Sequence, residues 1–104
     1  MAGPKIWLID LNEEAQATWN SDELTNEDRI VITAWAEVIR NNGPDALLKN
    51  PGQWNDHPLV EGYWKGCRAS SFSNQGRLIY YRFDEQGVVQ VLRITTTHDY
   101  SPPK

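Results

Sequence analysis

From Pro58 onward the chain changes texture, and no other feature limits its possible folds as much. "GYWKGCRASSFS", "GRLIYYRFD" and "GVVQVLRITTT" are rich in β-branched and aromatic residues and are separated by "SNQG" and "DEQG". Gly76 and Gly87 close those connections and can take positive φ, so the segment predicts three strands joined by tight turns, a β-meander. Before Pro58 the texture is helical. "LTNEDRIVITAWAEVIRNNG" presents Ile30, Ile32, Ala34, Trp35, Val38 and Ile39 as a broad apolar face. Thr25 or Asn26 can cap its start, Glu27 and Asp28 suit its positive end, and Asn42-Gly43 supplies the stop. Its Val, Ile and Thr content would weaken an isolated helix, so packing must hold it. Further upstream, "KIWLIDL" (Lys5 to Leu11) alternates like a strand, with Ile6, Leu8 and Asp10 on one side. "NEEAQATWNSDEL" follows, opening on Asn12 as an N-cap. "GPDALLKNPGQWNDHP" is loop, with at most one helical turn around Asp45 to Lys49.

The order β-α-(α)-β-β-β implies an α+β domain: a four-stranded, mainly antiparallel sheet with one or two helices on one face. The helix of residues 25–42 is expected across that face, with Trp35, Val38 and Ile39 buried against alternate residues of the strands 78–83 and 88–94. The other face is expected to stand open to solvent and to carry any site. A chain of 104 residues builds one core and not two. The whole therefore reads as a single domain: a strand and helical part (1–50), a meander carrying the site (51–100) and a flexible tail (101–104), "SPPK".

Composition narrows the function classes. Hydrophobic residues make up 39% and charged residues 23%, ordinary for a globular protein. No apolar run approaches the roughly 20 residues that span a bilayer, so no membrane partner is expected. "MAGPKIWLID" has no signal-peptide core, and Cys67 stands alone, so the expected address is cytoplasmic, without a disulfide. One Cys and two His fall short of a zinc site, and neither a metal nor another cofactor is expected. The net charge of −4 is unevenly spread: residues 1–50 carry four Lys/Arg against nine Asp/Glu, and residues 51–104 six against five. An anion site therefore belongs to the second half.

Each chemically able residue also has a plain reading. His57 lies before Pro58 in an extended loop, and His98 follows a Thr run at a strand end. Arg77 and Arg82 suit edge-strand charges. One of Tyr80 and Tyr81 belongs in the core, as do most of the tryptophans, with Trp54 and Trp64 the pair expected to reach solvent and a base. Lys65 and Arg68, three apart on a strand, would point to opposite faces. No P-loop, GxSxG or Rossmann glycine pattern is present.

Taken in order, "DHPL", "GYWKGCR", "GRLIYY" and "LRITTTHDY" resemble the marks of the RelE/ParE toxin superfamily, above all its YafQ and YoeB branches of ribosome-dependent mRNA interferases. The match spans about residues 54–100. "DHPL…G.WKG.R" is similar to the YafQ pattern, and "RLIY" to the "RLVY" of RelE and YoeB. The resemblance implies a RelE-like fold and the toxin of a type II toxin–antitoxin pair, an mRNA endoribonuclease acting in the ribosomal A site. The alternative within the superfamily is a ParE-like toxin that inhibits DNA gyrase, or an inactive member that acts only by binding. It implies a cognate antitoxin as partner, with an acidic or amphipathic segment that covers the open sheet face and pairs Lys65, Arg68 or Arg77. By position, His57 takes the place of a general base, Arg77 that of the arginine on the scissile phosphate, and His98 that of the late acid or base. Tyr100 is similar to an aromatic that orients the cleaved nucleotide. Lys65 and Arg68, with Trp64 and Ser71, are implied to bind substrate; Ser71 and Gln75 stand where YafQ has a histidine and an aspartate.

These residue types suit metal-free RNA cleavage. The 2′-OH must lose a proton, the leaving 5′-oxygen must gain one, and the phosphorane between needs its charge balanced. Histidine serves either proton task near neutral pH, and arginine offers a permanently charged fork for the phosphorane. RNA carries its own nucleophile, so no protein nucleophile is required. His57 and His98 are then expected on opposite sides of one phosphate, roughly 5–10 Å apart, facing one cleft with Arg77.

Overall fold

The computed structural model describes residues 6–104, and Lys5 of the predicted first strand lies outside them. The elements are β1 (Leu8–Leu11), α1 (Glu13–Trp19), α2 (Asn26–Asn42), a 3₁₀ turn (Pro44–Lys49), α3 (Pro51–Trp54), β2 (His57–Pro58), β3 (Arg68–Ser71), β4 (Arg77–Phe83) and β5 (Val88–Thr95). They form one sheet in the order β1-β5-β4-β3-β2, antiparallel throughout except that β1 runs parallel to β5. The α+β architecture is the one expected. The sheet has five strands rather than four because His57–Pro58 pairs with Arg68 and Ala69 at the far edge. The predicted strand over "GYWKGCRASSFS" begins only at Arg68. Gly62 and Gly66, at φ +76° and +94°, turn the chain back so that the Gly66 amide donates to the Leu59 carbonyl.

The helices start where the sequence places their caps. The Asn12 side chain accepts from the Ala15 amide at 2.8 Å. Thr25 and Asp28 close a reciprocal capping box, each side chain accepting from the other's amide at 3.0 Å. α2 lays Ile32, Trp35 and Ile39 on the sheet face formed by Leu78, Tyr80, Val89, Val91 and Ile94. Its apolar stripe is narrower than expected: Val38 is half-buried, Ala34 is exposed, and Ile30 is 69% exposed. In β1 the alternation holds, and the inward set is Trp7, Ile9 and Leu11, with Leu8 and Asp10 outward.

The second face is not the open surface expected. Strand register puts His57, Ala69, Ile79 and Arg93 in one row across β2 to β5, and Ser71, Arg77 and Thr95 in the next row on the same side. Ala69 and Ile79 on this face are fully buried. The loop of residues 59–67 brings Trp64 here, and the segment after β5 crosses it. Ser101, the first residue of the predicted flexible tail, is tied down by a 2.6 Å hydrogen bond from Arg93 to its carbonyl. Trp54 and Trp64, expected in solvent, are 1% and 5% exposed; Trp54 fills the helix-side core. The exposed part of the face lies toward the other end of the strands, at Tyr81 and Phe83. Among the described residues no helix is long and apolar enough to cross a membrane.

The packing sets a contrast between two α2 positions. Trp35→Ala empties a fully buried site and should cost about 3–5 kcal/mol. Ile30→Ala, on the exposed flank, should stay within about 0.5 kcal/mol. Urea denaturation of the two variants measures this, and a similar loss in both would contradict the placement of α2.

Candidate active site

Four of the sequence-selected residues gather where β4 begins and β5 ends. Ser71 pairs with Arg77, and Arg77 with Thr95, so all three point to the second face. Arg77 turns Nη1 onto the carbonyls of Ser73, Asn74 and Gly76 at 3.2, 3.2 and 2.9 Å, which fixes the guanidinium over the β3–β4 turn. β4 is an interior strand, so Arg77 and Arg82 are not edge charges. Beyond Thr95 the chain folds over this end. Thr95 Oγ1 accepts from the amides of Thr97 and Asp99 at 3.2 and 3.1 Å. His98 adopts φ +56°, a left-handed conformation uncommon for a residue with a side chain and frequent at functional sites. Its ring meets Tyr100 edge-on at 4.8 Å. The Tyr100 hydroxyl is buried without a formed hydrogen bond. Burial pushes its phenol above the ordinary range, and the Arg77 cation acts against that rise.

His57 arrives from the opposite edge. It pairs with Ala69, two residues before Ser71 on β3, so it lies diagonal to Ser71 on the same face. β2 and β4 are two strand spacings apart, roughly 10 Å between backbones, and Ser71 lies between His57 and Arg77. Asn55, in the left-handed conformation at φ +45°, sets its carbonyl 2.7 Å from His57 Nδ1. A carbonyl only accepts, so Nδ1 carries the proton and the neutral ring keeps its lone pair on Nε2.

The other proposed substrate contacts separate from this group. Lys65 lies in the loop rather than on a strand and lines a groove of about 540 Å³ with Pro58, Arg68, Tyr81 and Arg82. That groove is at the far end of β4, roughly 13 Å from Arg77 at strand rise. Arg68 is already engaged: its Nε donates to Asp56 Oδ1 at 2.7 Å. Trp64 is buried beneath the tail and donates from Nε1 to the Tyr100 carbonyl at 2.9 Å, so it supports the site rather than facing a base.

Two structural anchors escaped the sequence reading. The Asp56 carboxylate is 1% exposed and accepts from Arg68, from Ser70 Oγ at 2.6 Å and from the Tyr80 hydroxyl. Ser70 Oγ in turn accepts from Trp35 Nε1 at 3.0 Å. Burial and then the Asp56 charge push the Tyr80 phenol far above its ordinary range. Arg93 is the second anchor, paired with Glu14 at 2.7 Å. Its signal was visible: a cation inside the apolar strand "VVQVLRIT" must be paired. Asp56 offered only its place next to His57. Among the described residues no three His, Cys, Asp or Glu side chains converge to hold a metal ion.

No family model matches the sequence, and no curated protein sequence matches it. Solved structures do. The YoeB dimer of Staphylococcus aureus superposes with a TM-score of 0.65 at 14% identity, covering 88% of this chain and 97% of that one. The chain has the fold of the YoeB and YafQ toxins. The S. aureus YoeB–YefM complex gives 0.64 at 16%, over 86% and 94%. The Escherichia coli DinJ–YafQ toxin–antitoxin complex gives 0.58 at 23%, over 90% and 94%. Identities this low establish architecture, and the YoeB-like and YafQ-like arrangement of strands brings the end of β5 beside the start of β4.

Two outcomes follow from this geometry. Asp56→Ala strands Arg68 and the buried Tyr80 hydroxyl, and should cost about 3–5 kcal/mol in a denaturation experiment; a loss below about 1 kcal/mol would show the network to be dispensable. Arg77→Ala removes the cation that opposes the rise at Tyr100, so the phenol should titrate at a still higher pH. NMR titration of the Tyr100 ring carbon reads this directly, and an unchanged midpoint would separate Arg77 from Tyr100.

Proposed function

We propose that this chain is the toxin of a type II toxin–antitoxin pair, acting in the cytoplasm as a ribosome-dependent mRNA endoribonuclease. The observation that carries the reading is the grouping of Arg77, His98 and Tyr100 at one end of the sheet, with His57 on the same face across Ser71. The fold shared with YoeB and YafQ supports it.

In this reading His57 Nε2 takes the proton of the RNA 2′-OH, and the resulting oxygen attacks the adjacent phosphorus. His98, protonated, hands a proton to the 5′-oxygen as the P–O5′ bond breaks, leaving a 2′,3′-cyclic phosphate that water can open to a 3′-phosphate. Arg77 balances the charge of the phosphorane between them, its position already set by the turn carbonyls and so requiring no rearrangement during reaction. Tyr100 lies beside both and offers an aromatic edge to the nucleotide being cut. Lys65, exposed on the loop, suits a contact with the RNA backbone. The step requires neither a metal nor a protein nucleophile.

An antitoxin partner belongs to the same reading. YoeB is solved with YefM and YafQ with DinJ. For this chain we extend that to a cognate antitoxin whose acidic segment covers the Arg77 end of the sheet, competing with RNA for the same charge.

Primer extension on translated mRNA tests the reading. Wild type should cut the message within the ribosome. His57→Ala and His98→Ala should each slow cleavage by about 10²–10⁴ with little loss of ribosome binding, and Arg77→Ala by a comparable factor. An uncut message with wild type, or both histidine variants cutting at the wild-type rate, would overturn it.

A further inference from the structure

Arg93 is 8% exposed in the middle of β5, and every nitrogen of its guanidinium is occupied. Nε and Nη2 donate to the two carboxylate oxygens of Glu14 at 2.7 and 2.9 Å. Nη1 donates to the carbonyls of Asp99 and Ser101 at 3.1 and 2.6 Å. The fork lies over the Trp64 ring, 5.1 Å from its centroid. Trp64 Nε1 donates to the carbonyl of Tyr100, the residue between those two. Three consecutive carbonyls of the segment after β5 are thus held by two buried side chains. That segment has no helix or strand of its own, and it carries His98 and Tyr100.

We propose that Arg93, braced by Glu14, is a positioning residue of the candidate site: together with Trp64 it straps the chain after β5 onto the sheet and so sets His98 and Tyr100 beside Arg77. The kinetic side of this rests on the cleavage reading; the strap itself does not. The role requires arginine. One edge of the planar fork meets a carboxylate while the remaining nitrogen reaches two carbonyls, a division that a single ammonium cannot make. Glu14 is equally necessary, because an unpaired cation at this depth would be strongly disfavoured. Four of its five N–H donors are used within the protein, and the guanidinium is buried, so Arg93 is not placed to grip a phosphate. It acts through the histidine and tyrosine that it places.

Two variants of the full chain test the strap. Trp64→Phe keeps an aromatic ring under Arg93 and removes only the N–H that holds the Tyr100 carbonyl. Arg93→Lys keeps the charge and removes the fork. The His98 and Tyr100 ring signals are followed by NMR, because rings stacked edge-on shift each other's resonances, and the Trp35 indole signal reports the fold. In both variants Trp35 should stay in place, His98 should move toward the position of a free histidine, and the amides of residues 97–101 should exchange at least about tenfold faster. On programmed ribosomes kcat should fall about 10–100-fold with KM nearly unchanged, the effect of displacing a reacting group by about an ångström. Should Arg93→Lys fail to fold, Trp64→Phe alone decides. The proposal is overturned if the His98 and Tyr100 signals and the tail protection remain as in wild type. It is equally overturned if the rings move while kcat does not. A wild type that cuts no RNA would sink the cleavage reading and not the strap, which the ring signals still decide.

Discussion

The buried carboxylate of Asp56 ties together the parts of this molecule that the sequence keeps apart. It is reached from β3 by Arg68 and Ser70 and from β4 by Tyr80, and through Ser70 it is joined to Trp35 of α2. A charge with 1% of its side chain exposed is tolerable only when its lone pairs are filled by well-placed donors, and here three donors fill them. The requirement is mutual. Tyr80 can sit at 0% exposure in the core because its hydroxyl has an acceptor, and the short β2 keeps its register at the sheet edge because the residue before it cannot move. His57 follows Asp56 directly, so a histidine on the second face is fixed by a network on the first.

The class of fold was legible because it rests on period and punctuation. The turns before Gly76 and Gly87, the cap at Thr25 and the inward spacing of Ile32, Trp35 and Ile39 are local facts that reappear in the structure, although of the two turn glycines Gly87 alone takes the positive φ. What eluded the reading was pairing across distance. Trp64 reads as exposed because it flanks the His57 loop; nothing local says that a tail 36 residues later lies over it. Arg68 reads as a substrate contact through its match to the cations of the toxin pattern, and only tertiary structure reveals that Asp56, twelve residues earlier, already accepts from it. The clustering of Arg77, His98 and Tyr100 was legible only through the resemblance to known toxins. Its physical cause is the register that sets Arg77 opposite Thr95, which no single segment encodes.

The uneven charge takes on a structural meaning here. The first half is acidic and the second slightly basic, and ion pairs among the described residues cross between them, Glu14 with Arg93 and Asp45 with Arg82. Their energies differ. Arg82 with Asp45 is a pair in which the carboxylate is 76% exposed, so water screens it and it contributes little to stability. Arg93 with Glu14 is largely withdrawn from solvent on the arginine side, and its value is geometric. Part of the acidic excess therefore serves to organise second-half cations. Arg77, by contrast, donates to turn carbonyls, which orient the guanidinium without neutralising it.

The two sides of the candidate site are held by different means. His57 stands on a strand whose neighbour is locked by a buried carboxylate, and its tautomer is set by the Asn55 carbonyl. His98 and Tyr100 stand on an irregular segment reached by side chains from β5 and the 59–67 loop, the β5 arginine being braced from α1 by Glu14. An irregular segment opens more readily than a strand inside a sheet, so a disturbance at α1 that draws Glu14 away would reach His98 before it reached His57. The fold thus holds one histidine beside a strand of the sheet and the other on an irregular segment. That asymmetry follows from where each residue sits in the chain: one beside a strand that the core requires, the other beyond the last strand, where only added contacts can hold it.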